Sequence, residues 1–211
     1  MRAFLYAGGH IYPEFITEHP RAEDLRIAAD SGLRAANALS ERVDVLVGDF
    51  DSLGEPPVRD GTEIVRVPAE KDLTDTQLAL EIAVSRGADE IILIAGLSGR
   101  LDHTLSTLSI LEDMQARGLH GYITDGQNRV HFLRSSSLLI ARSSYRYLSL
   151  IAADPVVRGV SVEGCRYPLS RATLRRRLQY AVSNEITGNA ALVSCRKGGL
   201  YIIESADRNA V

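Results

Sequence analysis

The chain has 211 residues, 45% of them hydrophobic and 24% charged, with a formal net charge of −3. That length accommodates two compact domains and that composition a sizeable core. What is missing excludes several classes: no apolar run reaches the ~20 residues of a membrane helix, MRAFLYAGGHIYPEF at the start lacks a signal-peptide layout, and Cys165 and Cys195 form no CxxC pair, which argues against a structural zinc site or a disulfide framework and for a reducing cytoplasm.

Along the chain the first part alternates. Residues 3–7 read as a strand, followed by Gly8-Gly9. Residues 27–29 are short and apolar and run into Asp30-Ser31-Gly32, and residues 33–39 read as a helix. A strand over 43–47 ends at Gly48-Asp49, and 64–67 is another short strand. Residues 74–86 are helical by the i, i+4 spacing of Leu78/Ile82 and Ala79/Ala83. EIILIA (90–95) is a buried strand, 102–116 a helix with Leu105, Leu108 and Leu111 on one side, and 122–124 closes the series. Short apolar strands between amphipathic helices predict a mostly parallel, Rossmann-like α/β sheet.

After Asp125-Gly126 the pattern changes. Residues 130–133, 137–141, 145–151, 156–162, 191–195 and 200–204 read as strands, and only 172–178 has a weak helical pattern. Close-spaced strands predict an antiparallel β-sandwich or small barrel, so the fold class is α/β followed by a β domain, divided as 1–126 and 127–211. Charge divides at the same place. Residues 1–126 hold 11 basic and 22 acidic side chains, net −11; residues 127–211 hold 13 and 5, net +8. The acidic part could hold a cation and the basic part face anionic phosphate, or each could simply solvate itself. Arg175-Arg176-Arg177 lacks interleaved aromatics, so a nucleic-acid surface is the weaker reading.

In an open α/β sheet, ligands bind beyond the carboxyl ends of the strands. Four polar clusters follow strands here: Gly8-Gly9, Asp30-Ser31-Gly32, Gly48-Asp49-Phe50-Asp51-Ser52 and GLSGRLDH (96–103). Extended backbone would point Asp49 and Asp51 to one side. Two adjacent carboxylates repel, a penalty that a divalent cation such as Mg²⁺, which favours hard oxygen ligands shared with phosphates, removes; a turn without chemistry reads equally from these residues. Asp72 and Asp75 share a face at a helix start, where Thr74 or Asp72 could serve only as N-cap. Lys71 could meet a phosphate or lie in solvent. Arg100 suits bidentate phosphate binding, Asp102 a metal, a proton or a cap, and His103 a hydrogen bond. In the β-rich part, Ser183-Asn184-Glu185 could read a heterocycle or form a plain turn.

Taken together, AADSGLRAA, VGDFDSL, EKDLTDTQLAL, GRLDHTLSTL, GCRYPL and VSNE resemble, in order, the thiamine pyrophosphokinase family, over nearly the whole chain. The resemblance implies transfer of the pyrophosphoryl group of ATP to the hydroxyl of thiamine, giving thiamine diphosphate and AMP, with Mg²⁺ required. It implies a homodimer with thiamine near the interface of an α/β domain and a partner's β-sandwich. It makes Asp49, Asp51 and Asp75 metal ligands with Asp72 beside them, and puts Asp30, Ser31, Asp49, Ser52, Lys71, Arg100 and His103 at the nucleotide. Arg100 and Asp102 join the reaction centre, with Asp102 or Asp72 taking the hydroxyl proton, and Ser183 and Asn184 meet the aminopyrimidine ring. Neither a nucleic acid nor a membrane is implied.

Two departures stand out. Ser98 replaces a glycine common before the arginine, and Thr107 an asparagine common four residues after the histidine. There is no tryptophan, so any ring stacking would fall to Tyr, Phe or His, with Tyr180 a candidate. Three rivals stand beside this reading. A diphosphokinase for a hydroxymethylpterin would differ at Ser183-Asn184. A non-catalytic sensor of nucleotide or thiamine need not keep the aspartates. An aspartyl phosphohydrolase would place its D-x-D after the first strand.

Overall fold

β1 (Arg2–Tyr6) occupies the middle of a parallel sheet because every residue after Arg2 is apolar or aromatic and can be buried on either face. Around it lie β2 (Leu25–Ala29), β3 (Val45–Gly48), β4 (Glu63–Arg66), β5 (Glu90–Ile94) and β6 (His120–Thr124). The order is β4-β3-β2-β1-β5-β6, and all five pairings are parallel. From β1 the chain winds outward through β2, β3 and β4, then returns to β1's other side with β5. The direction of winding thus reverses between β1 and β5, where an open α/β sheet leaves a crevice at its carboxyl edge. The computed structural model describes residues 1–50, 61–68, 70, 72–178 and 180–207.

Period-two alternation divides the sheet's side chains. Phe4, Tyr6, Ala28, Leu46, Ile92 and Ile94 pack in one cluster with Leu33, Ala35 and Ala36 of α1 (Leu33–Ala38). Leu5, Ile27, Val45 and Leu93 alternate with them and are fully buried. α2 (Asp75–Ser85) packs on β1, β2 and β3 through Ala79, Leu80 and Ala83, and α3 (Leu101–Ala116) packs on β6. Fully burying each large side chain contributes roughly 1.5–3 kcal/mol. Asp30–Gly32 forms a single 3-10 turn after β2. A Cβ on Gly32 would fall 1.9 Å from the Tyr6 carbonyl oxygen, so only glycine lets this turn sit against the end of β1.

Residues 1–126 form one compact unit and 127–211 a second. In the second, β7 (Asn128–Arg134), β9 (Tyr147–Ala152) and β13 (Gly199–Ser205) pair antiparallel in the order β7-β13-β9. β8 (Ser137–Ala141), β10 (Val156–Glu163), β11 (Leu169–Arg175) and β12 (Ala190–Ser194) form the order β11-β10-β12-β8. Leu133, Leu150 and Ile202 from the first sheet share a core with Ile140, Val160 and Val193 from the other, which makes a β-sandwich.

One element departs from expectation. The helical pattern over 172–178 is in fact the end of β11 and the turn after it. Arginine and leucine favour a helix locally, but Leu174 is 3% exposed against Val157 of β10, and that burial wins. Arg171 at φ 47° and two register shifts fit β11 to its neighbour.

Candidate active site

The crevice between β1 and β5 contains a cavity of about 380 Å³. Four segments wall it: Gly8-Gly9 after β1, Asp30-Ser31 after β2, Thr74–Thr76 at the start of α2, and the loop from Gly96 through Ser98 to Arg100 after β5. His103 and Thr107 complete it from α3. These are ends of strands and starts of helices, where backbone N–H groups lack helical partners.

The loops touch through glycines and short hydroxyls. A Cβ on Gly8 would lie 2.5 Å from the Ser31 hydroxyl oxygen, and the Gly96 amide donates to the Gly8 carbonyl at 3.1 Å. Gly96 has φ 77°, and a Cβ there would meet Thr107 Cγ2 at 2.8 Å. Thr107 is buried and donates to the His103 carbonyl at 2.9 Å, so its hydroxyl closes on the helix and its methyl presses on Gly96. Ser98 Oγ accepts from the His10 amide at 2.7 Å, tying the loop after β1 to the loop after β5. Both departures from the family pattern therefore brace the wall of the cavity.

Three non-glycine residues at this edge hold left-handed backbone: Asp30 (φ 44°) after β2, Phe50 (φ 60°) after β3 and Ala95 (φ 74°) after β5. Aspartate tolerates this conformation; phenylalanine and alanine do so at a cost of order 1–3 kcal/mol each.

The expected site residues distribute unevenly. Asp30, Ser31, Asp75, Arg100 and His103 line the cavity together. Asp49 is half-buried after β3 and is not a lining residue, though Gly48 comes so close to Asp30 that a Cβ there would lie 3.2 Å from Asp30 Cβ. The chain turns left-handed at Phe50, so it is not extended at that residue. Asp72 is exposed and lies off the lining. The cap of α2 is Thr74, whose Oγ1 accepts from the Gln77 amide at 3.2 Å, which leaves Asp75 in the first turn beside the cavity. Asp51, Ser52 and Lys71 lie outside the described residues. Thr76, a further hydroxyl in the wall, carries no signal in sequence beyond its place in the EKDLTDTQLAL segment.

At the mouth, Arg100 donates to Asp102 through Nη2 at 2.6 Å and Nε at 3.2 Å, and Asp102 Oδ1 also accepts from the His103 amide at 3.0 Å. The hydrogen bond from Arg100 holds the Asp102 carboxyl below its usual range, and Asp102 in turn raises the guanidinium. No Arg100 side-chain cap closes α3, a helix of 16 residues whose positive end opens here. The arrangement suits a phosphate chain: small walls, a helix N-terminus and a guanidinium fork.

The donor set bears on a cation. The lining offers carboxylate and hydroxyl oxygens (Asp30, Asp75, Ser31, Thr74, Thr76) and no sulfur, the ligand chemistry of a hard ion such as Mg²⁺. Among the described residues no three His, Cys, Asp or Glu side chains gather as a metal cage.

In the second unit, Asn184 borders an apolar cavity of about 90 Å³ with Tyr167, Leu169, Tyr180 and Val182. Its amide is spent on the backbone. Oδ1 accepts from the Tyr167 and Glu185 amides at 2.9 Å each, and Nδ2 donates to the Tyr167 carbonyl at 2.7 Å. Asn184 thus sets Tyr167 at the cavity rim instead of presenting a free amide. Ser183, at φ 56°, donates its own amide to Ser149 Oγ at 2.9 Å and is not a lining residue. Tyr167 belongs to the GCRYPL segment, but nothing in the sequence assigns it a role. Among the described residues no helix is long and apolar enough to cross a membrane.

Comparison with known proteins covers both units. Residues 18–123 match the family model "Thiamin pyrophosphokinase, catalytic domain", and residues 135–200 match "Thiamin pyrophosphokinase, vitamin B1 binding domain". The chain is 28% identical over 165 residues to the thiamine pyrophosphokinase of Bacillus subtilis, covering 76% of this chain and 77% of that one. A solved thiamin pyrophosphokinase family protein from Enterococcus faecalis superposes with a TM-score of 0.82 at 28% identity, over 99% of this chain and 100% of that one. The Bacillus subtilis enzyme's structure gives 0.84 at 24% identity, over 99% and 100%.

Proposed function

Since the chain belongs to the thiamin pyrophosphokinase family, we propose that its 1–126 unit binds ATP in the β1–β5 crevice and transfers the pyrophosphoryl group to thiamine held by the 127–211 unit of a second copy of the chain. The observation that carries this reading is the convergence of four strand-end and helix-start segments, with Arg100, on one phosphate-sized cavity.

The thiamine hydroxyl oxygen attacks the β-phosphorus in line. The new bond joins that oxygen to the β-phosphorus; the bond between the β-phosphorus and its bridge to the α-phosphate breaks, and its electron pair leaves with AMP. Such transfer needs positioning and charge neutralisation more than covalent help. The loops with Gly8, Gly9, Gly96 and Gly99 let the phosphates approach the backbone, and the start of α3 supplies N–H donors. Arg100 turns from Asp102 to the phosphate oxygens. Once released, Asp102 loses the partner that depresses its proton affinity and takes the hydroxyl proton. Asp49, Asp51 and Asp75 would hold Mg²⁺, which when bound neutralises phosphate charge. Asp30, Ser31 and His103 contact the nucleotide, with Ser52 and Lys71 from the segments beyond description. Asp72, exposed before the start of α2, is the alternative acceptor for the hydroxyl proton. Asn184 acts on thiamine through Tyr167, with Ser183 beside it. We further read the protein as a cytoplasmic homodimer; Cys165 and Cys195, both buried and free, fit a reducing compartment.

The test incubates the protein with ATP, Mg²⁺ and thiamine and separates the products. Equimolar AMP and thiamine diphosphate are expected, and Arg100→Ala should lower kcat by roughly 10²–10³ while the exposed position leaves the fold intact. ADP with thiamine monophosphate would refute the mechanism. Turnover of a hydroxymethylpterin in place of thiamine would move the specificity to that rival, and binding of thiamine without turnover to the sensor.

A further inference from the structure

The turn Arg175-Arg176-Arg177 takes no part in the chemistry above, yet it is held with care. Arg175 pairs with Val156 in the β10–β11 ladder, the Arg176 amide donates to the Pro155 carbonyl at 3.2 Å, and the Leu178 amide closes the turn on the Arg175 carbonyl at 2.8 Å. The backbone is fixed while all three side chains are exposed. Together with Pro155 and Val156 they line an open cavity of about 420 Å³.

Positive charge accumulates there without a carboxylate bonded to it. Asp154, next to Pro155 in the chain, is already engaged: it accepts from Arg134 Nη1 at 2.9 Å and from the Gly199 amide at 3.0 Å, and Arg176 acts on it only as a nearby charge. Among the described residues none of the three arginines forms an ion pair. Arg158 lies two residues beyond Val156 on the same exposed side of β10, and Arg196 folds its side chain over Gly159, where a Cβ would meet it at 2.8 Å. Three like charges on consecutive residues repel, and a multiply charged anion relieves that repulsion. Guanidinium forks match phosphate oxygens in pairs. The five described residues that line the opening include no aromatic side chain on which bases could stack, so a compact anion suits it better than a nucleic-acid strand.

We infer that the β10–β11 turn is a second phosphoanion site, separate from the β1–β5 crevice, that takes a compact di- or triphosphate group.

Calorimetric titration of the full chain with inorganic tripolyphosphate, without divalent metal, tests this against Arg176→Ala/Arg177→Ala. Loss of two charge-assisted contacts should weaken binding at the turn by about a hundredfold, removing one equivalent from the isotherm, with kcat at saturating ATP unchanged. Added salt should weaken the same equivalent in wild type. Arg176→Gln/Arg177→Gln serves if the alanine variant does not fold. Displacement of tripolyphosphate by ADP would identify a phosphate ester as the ligand, and resistance to ADP an inorganic chain; either supports the site. An unchanged isotherm in both variants would overturn it. So would a fall in kcat, which would assign the arginines to the crevice, or tighter binding of a single-stranded RNA decamer than of tripolyphosphate. None of these readings depends on thiamine being the acceptor.

Discussion

Gly96→Ala isolates the contact that shapes the crevice. Two separate costs follow from the geometry. The first is conformational: at φ 77° an L-residue pays roughly 1–2 kcal/mol. The second is steric. The new methyl would lie 2.8 Å from Thr107 Cγ2, and Thr107, 6% exposed and bonded to the His103 carbonyl, has little room to retreat. Overpacking of this kind costs about 1–3 kcal/mol, so the substitution should destabilise by roughly 2–5 kcal/mol in all. Thr107→Ser removes the offending methyl and keeps the hydroxyl's bond. In that background only the conformational cost should remain, and the pair should couple by at least about 1 kcal/mol. Urea denaturation of wild type, both single variants and the double variant closes the cycle. Equal destabilisation by Gly96→Ala in wild type and in the Thr107→Ser background would refute the steric half of the argument and leave Thr107 as an ordinary helix residue.

Asn184→Ala should release Tyr167, because the Asn184 amide group fixes that residue's backbone N–H and carbonyl; KM for thiamine should rise more than KM for ATP, and an equal rise in both would count against a positioning role in the second unit. Asp24 is 5% exposed and accepts from Arg2 and from the Arg21 amide. Burial alone would raise its pKa, but the bonds from Arg2 and Arg21 outweigh burial and hold it below the ordinary value. A depressed folded pKa means that its contribution is full above the unfolded value of about 3.9 and is lost as pH falls through the folded one. Acid unfolding followed by circular dichroism should therefore show a shallower low-pH slope in Asp24→Asn than in wild type; identical slopes would remove Asp24 from the acid response.

Periodicity made most of the elements legible. The central strands β1, β2, β3 and β5 fall on apolar runs, and the change of pattern after Gly126 marks where antiparallel pairing begins. The one misread segment, 172–178, shows what a single sequence hides: its arginines have good helix propensity, and the partner strand that overrides it, β10, must be known before Leu174 is recognised as a core residue. Candidate site residues were legible where strand ends supplied them, as with Asp30, Ser31 and Arg100, because topology alone gathers carboxyl ends on one edge. Asn184 was legible as a polar residue suited to a heterocycle, but its hydrogen bonds run to backbone atoms of Tyr167 and Glu185, and no residue type signals that.

The least legible feature is the left-handed backbone along the crevice edge. At Asp30 the residue type permits it, but Phe50 and Ala95 have no such licence, and neither a phenylalanine nor an alanine in sequence points to positive φ. Both sit where a buried strand must turn sharply, after Gly48 and Ile94, and Phe50 is 3% exposed, so burial of its ring offsets the conformational cost. Ala95 has no ring to bury. Its amide instead donates to the Thr124 carbonyl at 2.8 Å, extending the β5–β6 pairing one residue past the strand, and the next amide, of Gly96, reaches the Gly8 carbonyl on the other side. Consecutive amides thus go on alternating between the two neighbouring strands, as they do inside β5. The left-handed turn at Ala95 falls between these two bonds, and the Gly96 it leads into is the residue packed against Thr107 in the cavity wall.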